Sequence, residues 1–353
     1  MVLTTILPET SWNRALAPYA RPVLRRSLFQ LLNSAIPFFL LWPLMLRSLE
    51  YSYWITLFLA VPAAGFLIRL FIIQHDCGHG SFFRSRAAND MLGFVLGVLT
   101  LTPYGYWRRT HAIHHATSGN LDQRDIGDVM TLTVKEFLRL PLWKRVRYRL
   151  YRHPLFLLGI GPVYLFVIRH RFPPNLRRTG RRGLTSVVMT NLVILAVIVV
   201  MWRTVGFQAF LKVQLPITVI AATAGVWLFY IQHQFEDTYW EKCGAWGFYA
   251  AGLRGSSFYD LPRILHWFTG NIGVHHVHHV CSRIPNYRLL ECLKENPELQ
   301  QVTHLTLWQS LNSIRLKLWD EDNRKLVGFQ HLRNLKNRST PHGWLRRISP
   351  PPL

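Results

Sequence analysis

Four apolar runs, at residues 29–46, 53–73, 186–202 and 213–231, constrain this chain more than any other feature in it. Each approaches the ~20 residues an α-helix needs to cross the hydrocarbon core of a bilayer. In lipid every backbone N–H and C=O must be satisfied inside the segment, so runs of this kind fold as helices. Brief connections join the first run to the second and the third to the fourth, which makes two helical hairpins. The expected fold is therefore an all-α integral membrane protein with four transmembrane helices. The length of 353 residues would suffice for two soluble domains, but half of the residues are hydrophobic. The expected division is an N-terminal segment 1–27, one membrane domain 28–289 and a C-terminal segment 290–353.

Two shorter apolar stretches, 91–106 and 155–168, are flanked by charge and fall short of span length, so they are read as interfacial or re-entrant helices. Topology supports that reading. Nine of the 16 histidines fall in three windows, His75-Asp-Cys-Gly-His79, His111-Ala-Ile-His114-His115 and His275-His276-Val-His278-His279. A complete crossing at 91–106 would put the first two windows on opposite sides of the membrane; with four spans all three emerge on one side.

Residues i, i+3 and i+4 share a helix face, so HxxxH and HxxHH are each expected to aim imidazoles at one point. Ionisable groups beside membrane spans are costly and usually functional. Imidazole suits iron, copper, zinc and nickel, and three such windows have enough donors for more than one ion. The windows alone leave the metal open, since divalent affinities favour copper or zinc at nitrogen-rich sites. Cys77, Cys243, Cys281 and Cys292 form no CxxC pair, which argues against a mononuclear structural zinc site. His153, His170, His304, His331 and His342 are scattered and read as ordinary core or surface residues.

Residues 74–183 carry eighteen Lys and Arg, whereas the opposite connections offer Arg47, Arg203 and Lys212. The positive-inside rule therefore puts the windows and both termini in the cytoplasm. The formal charge of +23 is spread over membrane-flanking loops with no nucleic-acid motif, so anionic lipid and an acidic redox partner are the expected targets rather than nucleic acid. Residues 323–353 are basic, end in prolines and read as a surface extension.

The three windows, in this order and at this placement relative to two hairpins, resemble the signature boxes of the integral-membrane fatty acid desaturases, over about residues 28–289. The three-residue gap of the first box resembles the acyl-lipid branch that contains Δ12/ω6 enzymes. The resemblance implies two non-haem irons in a cytoplasmic histidine cap, with O₂ as co-substrate. It implies ligands at His75 and His79, at His111, His114 and His115, and at His275, His278 and His279. A ninth, His233, lies in Tyr230-Ile-Gln-His233-Gln-Phe-Glu at the end of the last run. His276 breaks the HxxHH spacing and is left out. Asn271, four residues before His275, is expected on the same helical face as a water-mediated or positioning group; His266 is possible but unneeded.

Metal-bound imidazoles usually donate their second N–H to a carboxylate or carbonyl. Asp76, Asp122, Asp125, Asp128, Glu236, Asp237 and Asp260 are candidates, with Glu236 and Asp128 ranked first. The chain has no His-Pro-Gly-Gly haem motif, Rossmann glycines or ferredoxin cysteine set, so an external donor such as ferredoxin or cytochrome b5 is expected. Arg108, Arg109, Arg145, Arg147, Arg177, Arg178, Arg181 and Arg182 would steer it. The substrate is expected to be a lipid-linked fatty acyl chain in an apolar tunnel, and a bacterial inner membrane the location. Tyr104, Tyr106, Trp107 and Trp240 fit an interfacial aromatic belt. Alternatives are a di-iron acyl hydroxylase or acetylenase, a carotenoid hydroxylase or ketolase and, in another class, a histidine-rich metal transporter.

Overall fold

The computed structural model describes residues 9–124, 127–174 and 176–339. Four helices are long and apolar enough to cross a membrane: Leu24–Ser48, Tyr53–His79, Thr179–Val205 and Phe207–His233. They overrun the apolar stretches that announced them. At 27 residues the second and fourth are about 40 Å long by the 1.5 Å rise, against a hydrocarbon core of about 30 Å. Their last turns therefore leave the hydrocarbon, and those turns carry His75 and His79 on the second span and His233 on the fourth. Gly80, at φ 67°, ends the second span in the left-handed conformation that glycine adopts without strain.

The spans are not equivalent. In its most apolar 18-residue window the second is 44% buried within the protein and the third only 11%, so the second is the central post and the third faces lipid. Ala60, Ala63 and Ala64 are fully buried on the second span, where small side chains let helices approach closely.

The region 91–106 does not cross the membrane. It divides into a helix Arg86–Leu99, a turn with Leu101 at φ 55°, and the start of the helix Tyr104–Thr117 that bears the second box. A Cβ on Gly93 would overlap the Tyr104 ring, so glycine there lets the two helices fold back on each other. The other marginal stretch is the second limb of a bent pair, Leu142–Tyr151 and Leu155–Arg169, set at 52°. Leu142, Trp143, Leu150, Leu155 and Ile160 are exposed along it.

The membrane part is helical as expected, and the cap adds two small sheets. Strands β1 (Leu132–Thr133), β4 (Leu318–Asp320) and β5 (Lys325–Val327) form one in the order β1-β4-β5; β2 (Phe258–Asp260) pairs in parallel with β3 (His304–Thr306) in the other. These strands are two or three residues long, too short for a period-2 pattern to show. They also correct the reading of the tail. A boundary at 289/290 cuts the helix Asn286–Glu295, and the described part of 323–353 contributes β5, with Leu326 buried, instead of trailing as an extension.

Candidate metal centre

Nine histidines converge into two groups. His75, His79, His111, His115 and His278 form one, and His114, His233, His275 and His279 the other; within each, one ring nitrogen per residue lies within 4.8 Å of all the rest. The HxxxH box behaves as its spacing predicts, with His75 and His79 in one group. The HxxHH boxes do not aim at a single point. In each the i and i+4 residues stay together and the i+3 residue crosses to the other group, because i+3 and i+4 are consecutive and splay by about 100° around the axis at 3.6 residues per turn. Box two thus gives His111 and His115 to the group of five and His114 to the group of four; box three gives His278 to the five and His275 and His279 to the four.

The atoms that face inward are identifiable. The His114 Nδ1–H donates to Asp128 Oδ1 at 2.6 Å and the His233 Nδ1–H to the Gly255 carbonyl at 3.0 Å, which leaves Nε2 of both rings bare. His233 Nε2 lies 3.1 Å from His275 Nε2, itself 3.1 Å from His279 Nε2. In the group of five, His115 Nε2 lies 3.1 Å from both His111 Nε2 and His278 Nε2. One proton cannot satisfy three converging nitrogens. A cation can: at the ~2.1 Å metal–nitrogen distance usual for imidazole, adjacent ligands at right angles stand about 3.0 Å apart. Burial, and then the surrounding imidazoles, hold His111, His115, His275, His278 and His279 well below the usual histidine range, so these rings are neutral with lone pairs free to bind.

The outer partners differ in part from the sequence expectation. Asp128 does meet an imidazole. Glu236 does not: the helix ends at His233, so helical spacing no longer applies three residues on, and the exposed Glu236 carboxylate pairs with Lys325 at 3.0 Å. Asn271 is likewise displaced, because the box-three helix begins only at His275; Asn271 sits in a turn at φ 57° and its side chain donates to the Asn286 carbonyl at 3.4 Å. Asp122 accepts from the Cys243 N–H, Asp260 lies 3.7 Å from His266 and Asp237 is exposed; Asp125 and His342 lie outside the described residues, as do the side chains of Arg177 and Arg178. His276 is buried near Phe258 and outside both groups, and His266 Nε2 accepts from the Leu261 N–H.

Asp76, among the candidate carboxylates, does face an imidazole, and what sequence reasoning missed is the buried relay behind it. Asp76 Oδ1 lies 3.4 Å from His75 Nδ1, and its Oδ2 accepts from the Asn286 N–H at 2.7 Å and the Asn286 side-chain amide at 2.8 Å. Asn286 Oδ1 accepts in turn from Gln30 on the first span at 2.6 Å. No spacing rule links residues 256 positions apart. Trp107, taken for a belt residue, stacks on His111 with ring centroids 4.5 Å apart.

Buried and half-buried imidazoles gathered in two groups at the histidine-bearing ends of the second and fourth of four apolar spans define an integral-membrane protein whose centre suits metal ions. Comparison with known sequences gives the rest. The profile of the family "Fatty acid desaturase" matches residues 52–310, and the chain belongs to that family. It is 47% identical to a Bacillus subtilis fatty acid desaturase over 91% of both chains. An sn-1 acyl-lipid omega-3 desaturase (ferredoxin) from Nostoc is 28% identical over 69% of this chain and 68% of its own, and an sn-1 oleoyl-lipid 12-desaturase from Synechocystis 26% over 69% and 70%. The protein is thus a membrane fatty acid desaturase, which sets aside the metal-transport alternative.

Proposed function

We propose that the centre holds two iron ions and that the enzyme inserts a double bond into a lipid-linked acyl chain, consuming O₂. The observation that supports this is the convergence of neutral ring nitrogens at 3.1 Å in two adjacent groups. His75, His79, His111, His115 and His278 would hold one ion and His114, His233, His275 and His279 the other. The irons would supply, with O₂, the oxidising power that side-chain acids and bases lack against an unactivated C–H bond. The balance is one –CH₂–CH₂– unit, one O₂, two electrons and two protons giving one –CH=CH– unit and two waters.

The chain's own residues orient and insulate. Asp128 and the Gly255 carbonyl fix the tautomers of His114 and His233, so both present a bare Nε2. The near-complete burial of the group of four keeps bulk water from the reacting carbons. The two electrons come from an external carrier, and ferredoxin-type donors fit because a relative is named for one. Exposed Arg109, Arg147 and Arg181 would attract such an acidic carrier. We place the histidines on the cytoplasmic side of a bacterial inner membrane, and treat 28–289 as the catalytic unit with 290–339 folded onto its cap.

The test is product analysis. A host expressing the chain with a suitable donor is expected to accumulate a new unsaturated fatty acid, read by gas chromatography with mass spectrometry, and purified protein to contain two irons. A hydroxylated product, or one iron per chain at full activity, would overturn the reading.

A further inference from the structure

A cavity of about 330 Å³, open to the surface, lies among the helices Arg86–Leu99, Tyr104–Thr117 and the start of the third span, lined by Asp90, Phe94, Tyr104, Arg108, the exposed Arg182, Ser186 and their neighbours Gly105, Thr185 and Met189. It is on the histidine side of the membrane. The third span runs directly into the fourth through Gly206, so its start and the His233 end of the fourth face the same way. Its charge does not cancel. Asp90 is taken by Arg108, and Arg86 stands 3.9 Å away; Arg182 has no carboxylate partner among the described residues. The wall is apolar on its lipid side, where Phe94 is half-buried and Met189 is 47% exposed.

An exposed guanidinium with no carboxylate partner among the described residues, in the first turns of a membrane span, beside hydroxyls and above an apolar wall, matches one kind of ligand: a phosphate ester whose hydrocarbon lies in the bilayer. Arg108 lies three residues before His111, so the cavity and the histidine centre share the helix Tyr104–Thr117. We propose that this cavity binds the phosphate of a membrane glycerophospholipid, the one whose acyl chain is the substrate, with Arg182 as the principal contact and Arg108 shared with Asp90. This rests on the acyl-lipid reading above.

The test uses the full-length iron-loaded protein in nanodiscs containing either phosphatidylglycerol or diacylglycerol with the same acyl chains, and reads retained lipid by native mass spectrometry. Wild type is expected to retain phosphatidylglycerol over diacylglycerol by roughly tenfold. Arg182→Gln should abolish that preference, and Arg203→Gln, at the far end of the same span, should keep it. Met189→Trp, which fills the cavity without touching its charge, guards against a misfolded Arg182 variant and should also lose the preference. Equal retention of the two lipids by wild type, or an unchanged preference in both cavity variants, would overturn the site. KM separates substrate from resident lipid. A roughly tenfold rise for the phospholipid-linked chain at constant kcat upholds the substrate assignment, and an unmoved KM with lost retention overturns that half while leaving a resident-lipid site. Retention reads the cavity even if wild type yields no unsaturated product, so failure of the proposed reaction would be seen separately.

Discussion

The two histidine groups are built by the same rule and end up unequal. Each takes an i, i+4 pair from one HxxHH box and the lone i+3 residue from the other, so boxes two and three exchange roles between them. The difference lies in what completes each group: two histidines of the second span in one case, and only His233 of the fourth in the other. Four nitrogens leave more room in a coordination sphere than five, and an open position is the mark of a reactive metal site. The group of four also has the shorter carboxylate contact, Asp128 to His114 at 2.6 Å, against Asp76 to His75 at 3.4 Å. A near-symmetric set of boxes thus yields one group of five and one fully buried group of four.

The largest effect expected is from His→Ala within either group. Loss of His79 or His275 should remove activity by at least about a thousandfold, as for other groups that act as a unit. Iron analysis and Mössbauer spectra should show that each variant weakens its own site first; identical spectra from the two would merge the groups into one. His276→Ala, in the same box but in neither group, is expected to keep both irons and to lower thermal stability instead, since a buried ring leaves a cavity.

Next in size is Asp128→Asn. Removal of an outer partner of a metal-bound histidine costs about 10- to 100-fold in affinity or activity, and here the loss should fall on the group of four. Asp76→Asn is expected to cost less, because two of its contacts are to Asn286 and the third is long; a larger loss from Asp76 would reverse the ranking of the two carboxylates. Smallest should be Trp107→Phe, which keeps a ring stacked on His111, with turnover within about threefold of wild type if the stacking is dispersive.

How much of this was readable beforehand follows helix geometry. The four spans and the HxxxH pair were legible because apolar length and an i, i+4 repeat act inside one helix. The crossing of His114 and His278 to opposite groups was not, since spacing marks a shared face but cannot say whether one target or two stand before it. Glu236 and Asn271 went astray for a common reason: helical periodicity was carried past a helix end, at His233 in one case and before His275 in the other. Asp128 was found by composition near the box, and its partner could not be named because the described residues around it, 118–124 and 127–131, lie outside any helix.

The hydrogen bonds from Asn286 to Asp76 and Gln30 tie the end of the site to its beginning, and that ordering bears on how the enzyme is made. When synthesis reaches Gly270, all four spans have been produced but only six of the nine histidines exist. The group of five then has four of its members and the group of four only two, His114 and His233. The four spans are therefore complete in sequence while half of the group of four is still missing. A metal ion bound by the group of five would find a nearly formed seat early, whereas one bound by the group of four would wait until residues 275–286 fold back and lock against the first two spans.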